Sequence, residues 1–157
     1  MRYLATLSLC LAGLISFTGC TTMDPQMVAA RAAMNEAIPH EAPGNYFIGR
    51  RFYKNEFKMW GWVRKPGQLW NQSQLVMFNE QRKLAPDREQ GKIGADNNYE
   101  YRLEGYFSGE TVYEPASNRF YPEFVLTGYE LRSISPPTIF KDPKTMKPET
   151  LLLGPVM

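Results

Sequence analysis

From Asn45 to Arg132 apolar and polar side chains alternate, and aromatic rings take many of the apolar positions. A two-residue period in β-branched and aromatic chemistry is the pattern of strands. It predicts strands near 46–53, 57–64, 74–78, 99–107, 111–113 and 123–132, with turns at Lys54-Asn55, Lys65-Pro66-Gly67 and Ser108-Gly109. Residues 82–98 carry enough charge, Gly and Asn to read as one long loop, and no part of 45–132 has a helical period.

Three predicted strands share one device, a glycine followed by an aromatic: Gly61-Trp62, Gly105-Tyr106 and Gly128-Tyr129. Counting by twos places Gly61 in a row with Phe57, Met59 and Val63, and Gly105 in a row with Tyr101, Leu103 and Phe107. Gly128 falls, less decisively, in line with Phe124 and Leu126. Glycine weakens a strand, so its repeated use on the apolar side points to sharp bends or close backbone approach, as when a small sheet curls on itself. The expected fold is mainly β: a small antiparallel barrel or strongly curled sheet. An open sheet packed on a helix is the alternative.

Outside that region the pattern changes. Asp24-Pro25 reads as an N-cap followed by proline in the first helical position. Met27, Ala30, Met34 and Ile38 then give a thin apolar stripe that ends before Pro39. This predicts one short N-terminal helix, read as a spacer. Past Ile134 stand Pro136, Pro137, Pro143, Pro148 and Pro155, which predict an extended Pro-rich tail, with Leu151-Leu152-Leu153 docking on its own domain. The chain therefore divides into residues 1–19, a tether and helix over 20–44, a β domain over 45–132 and a tail over 133–157.

Residues 1–19 have the form of a secretory signal: a cationic start at Met1-Arg2, an apolar run from Leu4 to Phe17 too short to span a bilayer, then small residues. Phe17-Thr18-Gly19-Cys20 resembles the lipobox of bacterial lipoproteins, with Phe17 departing from the usual Leu, Val or Ile. The resemblance implies cleavage before Cys20 and acylation of that residue, which anchors the chain because more than one acyl chain is needed for stable membrane attachment. Thr21, where Asp tends to retain a lipoprotein in the inner membrane, implies the outer membrane facing the periplasm. Loss of residues 1–19 removes one of the 18 Lys and Arg, Arg2, leaving 17 against 16 Asp and Glu, so no global charge selects a partner. It also removes Cys10, so no disulfide can form within the processed chain and packing must hold the domain.

The densest chemistry lies in residues 50–65, where six cations and one carboxylate interleave with Phe52, Tyr53, Phe57, Trp60 and Trp62. In strand register Lys58, Trp60, Trp62 and Arg64 share a face that can stack bases or a sugar between cations. The plain alternative is a cation–π ladder covering one side of the sheet, and it is preferred because export removes nucleic acid as a routine partner. Exposure separates the two: open indoles in a groove favour a ligand reader, packed indoles a scaffold.

Catalysis lacks material. His40 is the sole histidine and sits in a predicted linker, so triads and multi-His metal sites have no residues to draw on, and the thiol of Cys20 is acylated. Glu100 and Glu104 read as a charged strand face or as partners of Arg102, and Asp87 and Glu89 as loop carboxylates. Tyr113, Phe120, Tyr121 and Phe124 read as a loop plugging one end of the barrel, with Pro115 and Pro122 blocking edge pairing. No catalytic residue, metal site or cofactor is expected.

Trp60-Gly61-Trp62-Val63, and Leu103-Glu104-Gly105-Tyr106 followed by Phe120-Tyr121-Pro122-Glu123-Phe124, resemble the Slp family of outer-membrane lipoproteins. That resemblance implies an OB-like barrel on an envelope lipoprotein and carries no functional residues over. The expectation is a lipid-anchored, non-enzymatic envelope protein that meets the membrane through Cys20 and serves a structural or protein-interaction role, with an envelope protein or cell-wall component as partner. The alternative is a small-ligand or glycan module using Trp60, Trp62, Lys58 and Arg64.

Overall fold

A computed structural model describes residues 24–53, 60–115 and 117–140. Cys20, Lys58 and Leu151 to Leu153, with the signal segment, lie outside the described residues.

Helix α1 (Pro25–Ala37) starts as its sequence predicts: the Asp24 carboxylate accepts from the Gln26 amide at 2.9 Å, and Pro25 opens the first turn. A 3₁₀ turn over Ile38–His40, entered through Pro39, ends it. The inward stripe differs from the expected one. Ala30 is exposed and Arg31 is buried in its place, beside half-buried Met27 and Met34 and buried Ile38. Arg31 is accommodated because its guanidinium donates to the Phe140 carbonyl.

Five strands, β1 (Phe47–Phe52), β2 (Trp60–Arg64), β3 (Gln74–Asn79), β4 (Glu100–Glu114) and β5 (Arg119–Ser133), close a barrel in the order β1-β2-β3-β5-β4. Every pairing is antiparallel except the seam between β3 and β5, which is parallel, so the expected OB-like barrel carries one parallel pair. Val63, Val76, Phe78, Tyr101, Leu103, Phe124 and Leu126 fill its interior. Gly61 lies on that inner side as predicted: a Cβ there would sit 2.5 Å from the Arg50 carbonyl oxygen and 2.7 Å from the Phe78 ring. Gly105 is equally confined, with the Val125 carbonyl 2.3 Å from where its Cβ would be.

Gly128 departs from the counting. Glu104 pairs with Gly128 but Gly105 pairs with Leu126, so Thr127 is a bulge that reverses the alternation and turns Gly128 away from Phe124 and Leu126, against the Glu104 side chain. A second irregularity replaces the turn predicted at Ser108-Gly109. Register passes from Phe107 opposite Phe124 to Thr111 opposite Pro122, with Gly109 at φ +90° in the intervening bulge, and two predicted strands become one 15-residue strand. The aromatic run 113–124 is a hairpin arm rather than a plug. Tyr113 pairs with Phe120, Asn118 takes a left-handed φ of 53°, and the Glu114 carboxylate accepts from the Ser117 amide at 2.7 Å. Phe124 alone of that set is fully interior, while Tyr113 and Phe120 stay 48% and 67% exposed.

Two short elements were not expected within 45–132. A 3₁₀ turn, Trp70–Gln72, delivers Trp70 to the outside of the barrel, and a single turn, α2 (Pro86–Glu89), interrupts the predicted loop between β3 and β4. Both are too short to show a helical period. The start of the tail is not free either: Ile139 and Phe140 are buried against the outer side of the sheet.

Gly61→Ala should cost about 1–3 kcal/mol because neither the Arg50 backbone nor the Phe78 ring can yield without moving the sheet. Urea unfolding reads this, and an unchanged midpoint would mean the strand has room there.

Candidate functional site

The chemistry singled out in the sequence lies on the outer face of β1, β2 and β3. Register sets Phe52 beside Trp60 and Met77, and Arg50 beside Trp62 and Leu75, with Ile48 beside Arg64. Trp60, Trp62 and Arg64 therefore share a face, as predicted. That face is an enclosed second core. Trp60 and Trp62 are 4% and 1% exposed, packed with Ile38, Phe52, Trp70, Ile139 and Phe140. The rings meet largely edge to face: Trp60 to Trp62 at 4.7 Å, Trp62 to Phe140 at 5.0 Å and Phe52 to Trp62 at 5.3 Å between centroids. Each such pair adds about 0.5–1.5 kcal/mol beyond area burial.

The cations of this face are neutralised from within the chain. Arg64 donates through both terminal nitrogens to Glu41 at 2.6 and 2.8 Å, and the Gly67 amide donates to the same carboxylate at 3.0 Å. Arg50 donates to Glu100 at 2.7 and 3.1 Å and to the Pro137 carbonyl at 2.6 Å. Both guanidinium carbons lie over the Trp70 ring, at 4.7 and 4.8 Å from its centroid. Arg132, the extra residue where β5 slips against β4 between Ser133 and Leu131, links the two pairs by reaching Glu41 at 2.9 Å and Glu100 at 3.2 Å. Burial works against charge on Arg50 and pulls it down to about 10 despite Glu100, so it stays protonated at neutral pH. Burial pushes the Glu41 carboxyl up, but Arg64, the Gly67 amide and Arg132 together outweigh it and hold the group at about 2.

Arg51, the next residue, points the other way and closes one end of the barrel. Its Nη1 donates to Asp87 at 2.7 Å and to Asp96 at 3.2 Å, and Nη2 lies 3.4 Å from Glu80. Asp87 also accepts from the Gly94 amide at 2.8 Å and Glu80 from the Ala85 amide at 3.0 Å, so α2 and its flanks are pinned to the arginine. Burial raises Asp96, with the neighbouring Asp87 charge adding to it and Arg51 opposing it. Asp87, expected to be a loop carboxylate, is thus a buried ion-pair partner. Glu100, expected to serve a charged strand face or Arg102, pairs with Arg50 and Arg132 instead, and Arg102 lies 3.8 Å from Glu130.

Glu41, Trp70 and Arg132 carry no signal in the sequence. Glu41 stands in a predicted linker, and its role depends on the barrel bringing residue 64 beside it. Among the described residues no cluster of His, Cys, Asp and Glu is arranged to hold a metal, and no helix is long and apolar enough to cross a membrane. A pocket of about 340 Å³ opens beside Met34, His40, Glu41 and Arg132, and its carboxylates and guanidiniums are those already bonded to one another. This arrangement can lock the outer cover to the barrel. It does not present paired acid and base groups around an open cavity.

Glu41 sits below its ordinary value of 4.5 in the folded protein, so its contribution to stability is complete above about pH 4.5 and lost as pH falls toward 2. Asp96, raised by burial, acts in the opposite direction and offsets part of that loss. Thermal unfolding across pH 2–7 should therefore show a decline that Glu41→Gln flattens, and the same variant should lose about 3–5 kcal/mol at neutral pH by stranding Arg64. An unaltered acid limb in Glu41→Gln would contradict the assignment.

Comparison with protein-family models, with curated proteins and with solved structures finds no match to this chain, so function is read from this geometry.

Proposed function

We propose that this chain is a lipid-anchored bacterial envelope lipoprotein whose β domain works without catalysis, as a structural or protein-interaction module at the outer membrane. One observation carries the choice of a scaffold over a ligand reader. The face best equipped to read a ligand, with Trp60, Trp62, Arg50 and Arg64, is occupied by the chain's own α1, Trp70 and residues 137–140, and its cations are paired to Glu41 and Glu100. A barrel of this topology offers the outside of strands 2 and 3 to oligonucleotides or oligosaccharides. With that face filled by the same polypeptide, a scaffold fits better than a reader of small molecules. Anchoring rests on the sequence of residues 1–20, whose lipobox-like end supplies the cysteine that acyl chains would modify.

Two measurements test the proposal. Metabolic labelling with a fatty-acid probe should mark the wild-type chain and miss Cys20→Ser, which should move to the soluble fraction; an unlabelled wild type would remove the anchor. All three tryptophans are buried, so emission should be blue-shifted, resist acrylamide quenching and remain unchanged on titration with cell-wall fragments. A saturable spectral shift with such a fragment would restore the glycan-binding alternative.

A further inference from the structure

Among the described residues, the hairpin arm made by β4 and β5 has one edge without a neighbouring strand. β1 pairs with β4 only from Phe47 opposite Leu103 to Arg50 opposite Glu100, so from residue 104 onward β4 meets β5 on one side and, among the described residues, no strand on the other. Alternate peptide groups along residues 104–113 therefore point outward; the Glu110 amide is returned to Ser108 Oγ at 3.1 Å, and at the end of the strand the Glu114 carbonyl accepts from Ser117 Oγ at 3.5 Å. A two-stranded ribbon is marginal by itself, and an exposed edge is a template for another strand.

The arm's two edges are guarded unequally. Along β5, the stretch that precedes the residues paired with β3 (123–125) carries Arg119 and Pro122, and the proline withholds a donor. Along β4 there is neither Lys, Arg nor Pro between 103 and 114, and the bulge between Phe107 and Thr111 merely divides the edge into two pairing stretches. Tyr106, Phe107 and Tyr113 are 43%, 37% and 48% exposed along it. The exposed charges between residues 104 and 113 are Glu104 and Glu110, while Glu114 is buried and accepts from the Ser117 amide. A second copy laid along the same edge would set acid against acid, which disfavours self-pairing, whereas lysine or arginine would find carboxylates and exposed rings together.

We propose that residues 104–114 are a strand-addition site that takes an extended, basic segment of another polypeptide. This rests on the protein-interaction reading above and supplies the surface for it. Main-chain hydrogen bonds give the affinity, and Glu104 and Glu110 select for basic over acidic segments.

Hydrogen exchange with mass spectrometry on the full-length chain in detergent micelles tests this. The probe is a peptide of roughly twelve residues alternating lysine with valine and threonine, set against a glutamate counterpart and a proline-interrupted peptide of the same charge. The lysine peptide should slow exchange within 104–114, and the other two should not. E104K/E110K should bind the lysine peptide about tenfold more weakly and gain affinity for the glutamate peptide. Equal binding of the proline-interrupted peptide, which cannot add as a strand, would overturn the proposal, as would protection confined to other residues. Protection, without peptide, of the amides in 104–114 that do not bond to β5 would also overturn it, a concentration-dependent signal naming a second copy and a concentration-independent one naming the chain's own segments. Fatty-acid labelling of the same E104K/E110K protein separates the readings: a labelled chain that binds no peptide loses this site alone, and an unlabelled chain that binds peptide loses only the anchor.

Discussion

Two consecutive guanidinium groups, Arg50 and Arg51, lie on opposite faces of one short strand and are both out of water. A buried charge without a partner costs several kcal/mol, so each imposes a demand on the surrounding chain. Arg51 draws Glu80, Asp87 and Asp96 from the connection between β3 and β4, which is why that connection folds into a turn over the end of the barrel. Arg50 draws Glu100 from β4 and the Pro137 carbonyl from the segment after β5, bringing the chain back across the outer face. One strand thus organises the barrel end and the cover.

The cover completes a second apolar layer. Inside the barrel the side chains are of moderate size around Phe78 and Phe124; outside it are three indoles and the rings of Phe52 and Phe140. A domain this small gains its stability from burying both faces of β2, all five of whose residues are removed from solvent. The same arrangement covers the outer face of β1, β2 and β3 and leaves other parts of the domain to project. Chief among these is the β4–β5 arm, where aromatic rings stay exposed and one strand edge has no neighbour among the described residues.

Much of this was legible in the chain. The two-residue period marked every strand, Asp24-Pro25 marked the start of α1, and the glycine interruptions at Gly61 and Gly105 marked a closed sheet, because a missing Cβ is a local property that survives any register. The reading failed where one extra residue mattered. The bulge at Thr127 reverses the faces of β5, and the bulge between Phe107 and Thr111 converts a predicted turn into continuous strand; a bulge is settled by what lies opposite, which alternation along one strand does not contain. Aromatic area alone places 113–124 at a barrel end, yet hairpin pairing holds Tyr113 and Phe120 outside.

By itself the order of residues determined that the domain is mainly β and that Trp60, Trp62 and Arg64 share a face, and it favoured a closed sheet over an open one without deciding between them. These follow from steric and periodic rules acting within a few residues. Only the tertiary structure decided whether that face meets water or protein, because the answer depends on Ile38, Glu41, Trp70, Ile139 and Phe140, which are distant in sequence and have no periodic relation to β2. Cation and indole in alternation describe a binding surface and a buried ladder equally well; the partner that arrives across the fold makes it one or the other.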